Sequence, residues 1–84
     1  MEIKVLGAGC AKCKRLYEEA AKAIAQSGVQ ARLLNVETLD EIQKHGVLMT
    51  PALVIDGEVK CAGRIPKLPE MVSWITTAAA KTEG

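Results

Sequence analysis

Aromatic residues are almost missing from this chain: Tyr17 and Trp74 are the only two, and there is no phenylalanine. Their scarcity excludes the stacked-ring surfaces on which proteins bind single-stranded nucleic acid, and it leaves the core to Val, Leu, Ile and Ala. A charge excess is missing as well. Eleven Lys and Arg against ten Asp and Glu give a formal net charge of +1, with both signs mixed along the 84 residues, so no basic surface points to nucleic acid. No apolar run approaches the roughly 20 residues of a membrane-spanning helix. A start that contains Glu2 and Lys4 lacks the basic stretch followed by an apolar one that marks a secretory signal. The three cysteines are too few, and odd in number, for a disulfide-stapled extracellular scaffold. Two of them lie three positions apart, a usage that points to metal or redox chemistry in a reducing compartment. A cytoplasmic protein with no membrane partner is therefore expected.

What is present suffices for one domain spanning residues 1–84, because 49% of the chain is hydrophobic and lengths of about 50–200 residues are the ordinary domain size. No repeat, low-complexity segment or linker interrupts it. Ile3-Lys4-Val5-Leu6 reads as a short strand ending at Gly7-Ala8-Gly9. From Ala11 to about Gln26, Leu16, Ala20, Ala23 and Ile24 recur on one face at helical spacing, with Gly28 placed to close the helix in the left-handed region. Gln30 to Val36 reads as a second strand, and strand-helix-strand implies parallel pairing by a right-handed crossover.

Thr38-Leu39-Asp40-Glu41 has the form of a capping box, in which Thr38 accepts from the amide of Glu41 and the Glu41 carboxylate reaches back to the amide of Thr38. The short helix that follows should bury Leu39 and Ile42 and stop at Gly46. Ala52–Ile55 and Glu58–Cys61 read as strands joined by Asp56-Gly57, the pair favoured in a two-residue hairpin turn. Pro69 starts a helix running to about Ala80, with Leu68, Val72, Ile75 and Ala79 on its inner face, and Lys81 to Gly84 read as a frayed tail. The order β-α-β-α-β-β-α gives an α/β fold with a helix-flanked mixed sheet.

Cys10-Ala11-Lys12-Cys13 is a C-x-x-C placed where a strand and a glycine-containing turn enter a helix. The unpaired amides and the macrodipole at a helix start favour an anion, and Lys12, Lys14 and Arg15 add positive charge nearby. These effects favour thiolate over thiol and should lower the pKa of Cys10. The offset of three puts Cys13 one turn onward, within disulfide reach and more buried. The same motif also binds metals. A structural zinc site needs four ligands, and the only further candidates, Cys61 and His45, lack ligand-like spacing.

Thr50-Pro51 precedes a strand directly, where proline is tolerated because it has no donor for the ladder. A cis bond there would keep a metal from bridging the cysteines and leave the Thr50 backbone open to an extended substrate. Only about 5–6% of X–Pro bonds are cis, and nothing in the residues alone favours that isomer. Cys61 alternates with Lys60 and should point with Val59 into the core as a small hydrophobe, the functional alternative being a third redox thiol. His45 reads as a surface residue at a helix C-terminus, Met71 and Trp74 as the flank of the last helix, and Tyr17 as core-edge packing.

Taken together, Gly7-Ala8-Gly9-Cys10-Ala11-Lys12-Cys13, Thr50-Pro51-Ala52-Leu53-Val54-Ile55-Asp56-Gly57 and Ala62-Gly63-Arg64 resemble the small thioredoxin-like redox-active disulfide proteins of archaea and bacteria. The resemblance covers nearly the whole chain. It implies a minimal thioredoxin fold with sheet order 2-1-3-4, the third strand antiparallel, and a cis Thr50–Pro51 bond beside the cysteines, with the Ala62-Gly63 loop near them. The chain departs from thioredoxin proper, which has Trp-Cys-Gly-Pro-Cys: here Gly9 precedes Cys10, and Ala11-Lys12 lie between the cysteines. Lys4 stands six positions before Cys10, where thioredoxin keeps a buried Asp. The aromatic residue between the cysteines and the late Gly-Gly turn of glutaredoxins are both missing.

The chemistry expected is dithiol–disulfide exchange: Cys10 attacks a protein disulfide and Cys13 resolves the mixed disulfide. The Thr50–Pro51 segment and Gly63 would bind the substrate chain. The reading calls for no bound cofactor or metal, for an upstream thiol reductase, and for a monomer. Its rival is a soft-metal carrier holding a copper-type ion through Cys10 and Cys13, as in ferredoxin-like heavy-metal domains of β-α-β-β-α-β order. A redox switch acting on a partner protein is a third use of the same pair.

Overall fold

In the computed structural model, which describes residues 1–83, the elements follow in the order β1 (Glu2–Leu6), α1 (Ala11–Ser27), β2 (Arg32–Val36), α2 (Leu39–Lys44), β3 (Ala52–Ile55), β4 (Glu58–Ala62) and α3 (Leu68–Glu83). They build a four-stranded mixed sheet of order β2-β1-β3-β4. β1 pairs parallel with β2, in register Glu2 with Arg32, and antiparallel with β3, in register Leu6 with Ala52. This is the α/β architecture and the 2-1-3-4 order expected. The β-α-β-β-α-β order of the metal-domain alternative does not occur.

The period-2 alternation of the two central strands divides the core in two. Ile3 and Val5 of β1, with Leu53 and Ile55 of β3, face Leu16, Ala20 and Ala23 of α1 and Met71 and Ile75 of α3. Leu6, Ala52 and Val54 face the other way and meet Ile42 of α2 and Val47. All four residues of β3 are buried, as a strand covered on both faces requires. α1 and α3 therefore share one side of the sheet and pack together, and α2 lies on the other.

α1 starts and stops close to where its pattern indicates. Ser27 Oγ donates to the Ile24 carbonyl at 2.7 Å and accepts from the Val29 amide at 3.2 Å, and Gly28 follows at φ 70°. β2 begins at Arg32 rather than Gln30, because β1 begins at Glu2 and offers the two preceding residues no ladder partner. The hairpin turn is as expected, with Asp56 at φ 47° and Gly57 at φ 82°, both in the region that the primed turn demands.

Several expectations are corrected. The capping box does not form: Thr38 makes no side-chain cap bond, and Glu41 pairs instead with Lys44 at 3.4 Å. Leu39 is exposed, because a six-residue helix reaches the sheet through Ile42 while Val47, from the following loop, fills the remaining apolar space. Val59 does not share a face with Cys61. A bulge in β4 pairs Val59 with Val54 and Cys61 with Leu53, so the ladder turns Val59 to the opposite side, where it is 37% exposed. Met71 is a fully buried centre of the inner face of α3 rather than its flank, while Trp74 is half-buried beside it. α3 also starts one residue earlier, at Leu68, and continues through Lys81 to Glu83. Its Ala78-Ala79-Ala80 run has the strongest helix propensity, and a basic residue suits the last turn. The expected frayed tail is thus helical up to Glu83, and Gly84 lies outside the described residues.

Candidate active site

The site forms at the end of the sheet where β1 ends and β3 begins. Gly7 extends the parallel pairing one step past Leu6, its amide donating to the Val36 carbonyl at 2.9 Å. It is buried, and a methyl group there would collide with Cys13 Sγ, lie 3.1 Å from Cys13 Cβ and lie 3.8 Å from Thr50 Cβ. The space above Gly7 is therefore where the cysteine helix and the Thr50–Pro51 segment converge.

Cys10 is the N-cap of α1 and is exposed, with extended backbone (φ −76°, ψ 162°). Its sulfur accepts from the Cys13 amide at 3.1 Å, and its carbonyl accepts from the Lys14 amide at 3.1 Å. Sulfur thus occupies the place that a Ser or Asp oxygen takes in an ordinary cap. Cys10 and Cys13 are joined as a disulfide with their Cα atoms 5.1 Å apart, and Cys13 is only 2% exposed. No acidic residue lies in the first turn of α1. Lys12, Lys14 and Arg15 are exposed there, and none has an ion-pair partner among the described residues.

The Thr50–Pro51 peptide bond is cis and Pro51 is buried. The Pro51 carbonyl accepts from the Gly63 amide at 2.8 Å. Gly63 sits at φ 81°, a conformation few other residues adopt, and a Cβ on it would lie 3.0 Å from Met49 Cε. Leu48 and Met49, which lead into Thr50, are 99% and 62% exposed. The structure thus brings together Cys10 with Cys13, and Pro51 with Gly63, and places Thr50 beside the space that Cys13 borders.

The remaining ionisable candidates fall elsewhere. Cys61 is a free buried thiol whose Sγ donates to the Arg64 carbonyl at 3.8 Å. Burial pushes it up from the ordinary thiol value, against the smaller lowering effects of the Leu53 backbone and Arg64. His45 closes α2 through its backbone amide. Lys4 pairs with Glu2 at 3.5 Å, and Glu2 begins β1 at the end opposite the cysteines. Among the described residues no three His, Cys, Asp or Glu side chains gather to hold a metal ion. No helix among them is long and apolar enough to cross a membrane.

Two contacts in or next to the site lie outside the sequence reading. Gly7 looked like one of two turn glycines; that it closes a strand, where glycine is otherwise disfavoured, was the available signal. The second is the fork between Arg64 and Glu70: Nη1 to Oε1 and Nη2 to Oε2, both 3.1 Å. An offset of six across a loop has no periodic signature.

Comparison with known proteins places the chain in context. A family model described as a thioredoxin domain matches residues 1–76. A curated thioredoxin of Methanothermobacter thermautotrophicus is 34% identical over 71 residues, which cover 84% of this chain and 92% of the relative. One of Methanocaldococcus jannaschii is 33% identical over 69 residues, covering 82% and 79% respectively.

Proposed function

The chain belongs to the thioredoxin domain family, and from that premise we propose that it is a protein-disulfide reductase working through Cys10 and Cys13. The observation that carries the reading is the division between the two sulfurs: Cys10 exposed at a helix N-cap, Cys13 buried behind it and already bonded to it. In the reduced form the cap amides and helix dipole favour a Cys10 thiolate. That thiolate attacks one sulfur of a substrate disulfide. A mixed disulfide forms, and the other substrate sulfur leaves as a thiolate that takes up a proton. Cys13 then loses its proton and attacks Cys10 Sγ, the mixed disulfide breaks, and the second substrate thiol is released. Two electrons have passed to the substrate, and the protein is left oxidised, its two thiols replaced by the Cys10–Cys13 disulfide. An upstream thiol reductase restores the dithiol, with no bound cofactor in this chain.

Thr50, Pro51 and Gly63 are the residues proposed to hold the substrate chain. The Gly63 amide is already used by the Pro51 carbonyl, so the open backbone groups are those of Thr50 together with the Gly63 carbonyl. Lys4 stands where thioredoxin keeps a carboxylate, and the carboxylate it pairs with, Glu2, begins β1 at the end away from the cysteines, so the solvent takes the Cys13 proton. The chain acts as one domain and as a monomer, since both thiols and the Pro51 strand come from a single copy, and it works in the cytoplasm, where reducing partners are present.

Titration in glutathione redox buffers, following free thiols, tests this. Wild type gives a reversible two-electron couple that Cys10→Ser and Cys13→Ser each abolish. Cys13→Ser accumulates a mixed disulfide with a protein substrate and Cys10→Ser does not. Metal bound stoichiometrically on purification, with no disulfide formed on oxidation, overturns the proposal.

A further inference from the structure

The loop that carries Gly63 is held in place from outside the cysteine pair. It runs from the end of β4 at Ala62 to Lys67, just before α3. Its inner side is anchored by the Gly63 amide on the Pro51 carbonyl at 2.8 Å and by the Cys61 thiol on the Arg64 carbonyl at 3.8 Å. Beyond Gly63 it is held by the buried Pro66, by Ile65 against the core, and by the planar fork of Arg64 on both carboxylate oxygens of Glu70, each at 3.1 Å. Glu70 lies in the first turn of α3 and also accepts from the Lys67 amide at 3.4 Å. One carboxylate therefore ties the loop to the start of a helix that is itself fixed in the core by Met71 and Ile75.

Two-pronged guanidinium–carboxylate pairing fixes direction as well as distance, which a lysine in the same place does not. On the other side of the same loop, Met49 lies against Gly63, close enough that a methyl group on Gly63 would meet three of its side-chain atoms at 3.0–3.4 Å. The loop thus has one edge tied at Arg64–Glu70 and one edge shared with Pro51 and Met49.

We propose that the Arg64–Glu70 pair positions the Gly63 loop against Pro51 and Met49, and so sets how well a polypeptide disulfide docks without touching the reacting sulfurs. The inference rests on the reading of the chain as a protein-disulfide reductase. Arg64 and Glu70 are positioning residues: they act through the Gly63 backbone. A small disulfide with no flanking chain does not use that backbone and should be indifferent to them. The pair lies at the surface, where such contacts are weak, so its loss should raise KM by about two- to fivefold rather than abolish binding.

The test compares steady-state reduction of insulin, with dithiothreitol as electron donor, and reduction of a small aryl disulfide by the pre-reduced full chain freed of dithiothreitol. Glu70→Gln and Arg64→Met should raise KM for insulin with kcat unchanged, and leave the rate on the aryl disulfide at the wild-type value. Arg64→Lys keeps the charge but not the fork and should give an intermediate KM. The charge-exchanged double variant, Arg64→Glu with Glu70→Arg, should recover most of the loss. An insulin KM unchanged in Glu70→Gln, or a parallel fall in rate on both substrates, overturns the positioning role while leaving the reductase reading in place. Failure of the wild type to reduce insulin overturns both.

Discussion

Gly7 passes under Cys13 at the point where β1 gives way to the cysteine turn, and the sulfur occupies the place where any side chain would begin. Gly7→Ala forces either the Cys13 side chain or the end of β1 to move, an overpacking that typically costs about 1–3 kcal/mol. The loss should be larger in the oxidised protein, where Cys13 Sγ is tied to Cys10 and cannot rotate away. Urea denaturation of the oxidised and reduced forms measures both; equal loss in the two forms would show that the backbone, not the sulfur, absorbs the collision. Cys10 and Cys13 were legible because their chemistry depends on local spacing and on the helix start, both written in consecutive residues. Gly7 was legible only as a glycine, because what it approaches comes from a different turn of the chain and from the segment around Thr50.

Among the elements, α2 departs furthest from its pattern. Thr38-x-x-Glu41 has the letters of a capping box, yet the Thr38 side chain bonds nothing at the helix start and Glu41 turns to Lys44. Replacing a working cap costs about 1 kcal/mol. Thr38→Ala should therefore stay within about 0.5 kcal/mol of wild type, the ordinary range for an uninvolved surface position, as measured by the urea midpoint at unchanged slope. A motif of this kind states which bonds are possible. Whether they form depends on competing partners, and Glu41 has Lys44 one turn away. β4 shows the same limit. Its alternation would place Val59 and Cys61 on one face, but the bulge opposite Leu53 and Val54 inserts a residue and separates them. By contrast, α1 and the Asp56-Gly57 hairpin follow their local signals, because the αL closure at Gly28 and the turn at Asp56-Gly57 are set by residues that are neighbours in the chain.

At the scale of the whole molecule, the core on the α1–α3 side encloses the one free thiol. Cys61 is 8% exposed and lies among Leu53, Met71 and Ile75, and burial raises its pKa above the ordinary thiol value of 9.0. In the unfolded chain it ionises at that ordinary value, so the native state binds its proton more tightly. The stability this contributes is complete below about pH 8.5–9 and is lost as pH rises toward the native value. In a Cys10→Ser, Cys13→Ser background, where Cys61 is the sole thiol, unfolding free energy should fall between pH 8 and 10 more steeply than in the same background with Cys61→Ala. Identical slopes would mean that the thiol is not sequestered as the packing indicates.

By itself the sequence determined the order of elements and the position of the cysteine pair at a helix start. Each of these is a consequence of periodicity or of contacts between near neighbours. The tertiary structure decided what no local pattern encodes: that Gly7 has room for nothing beyond hydrogen, that Pro51 and Gly63 are bonded across β3 and β4, and that Arg64 reaches Glu70 around the loop. The physical reason is that these contacts join residues from separate elements, whose distances are set only when both faces of the sheet are covered. Packing across that sheet brings the Thr50–Pro51 segment to the cysteines, although some forty residues separate them in the chain.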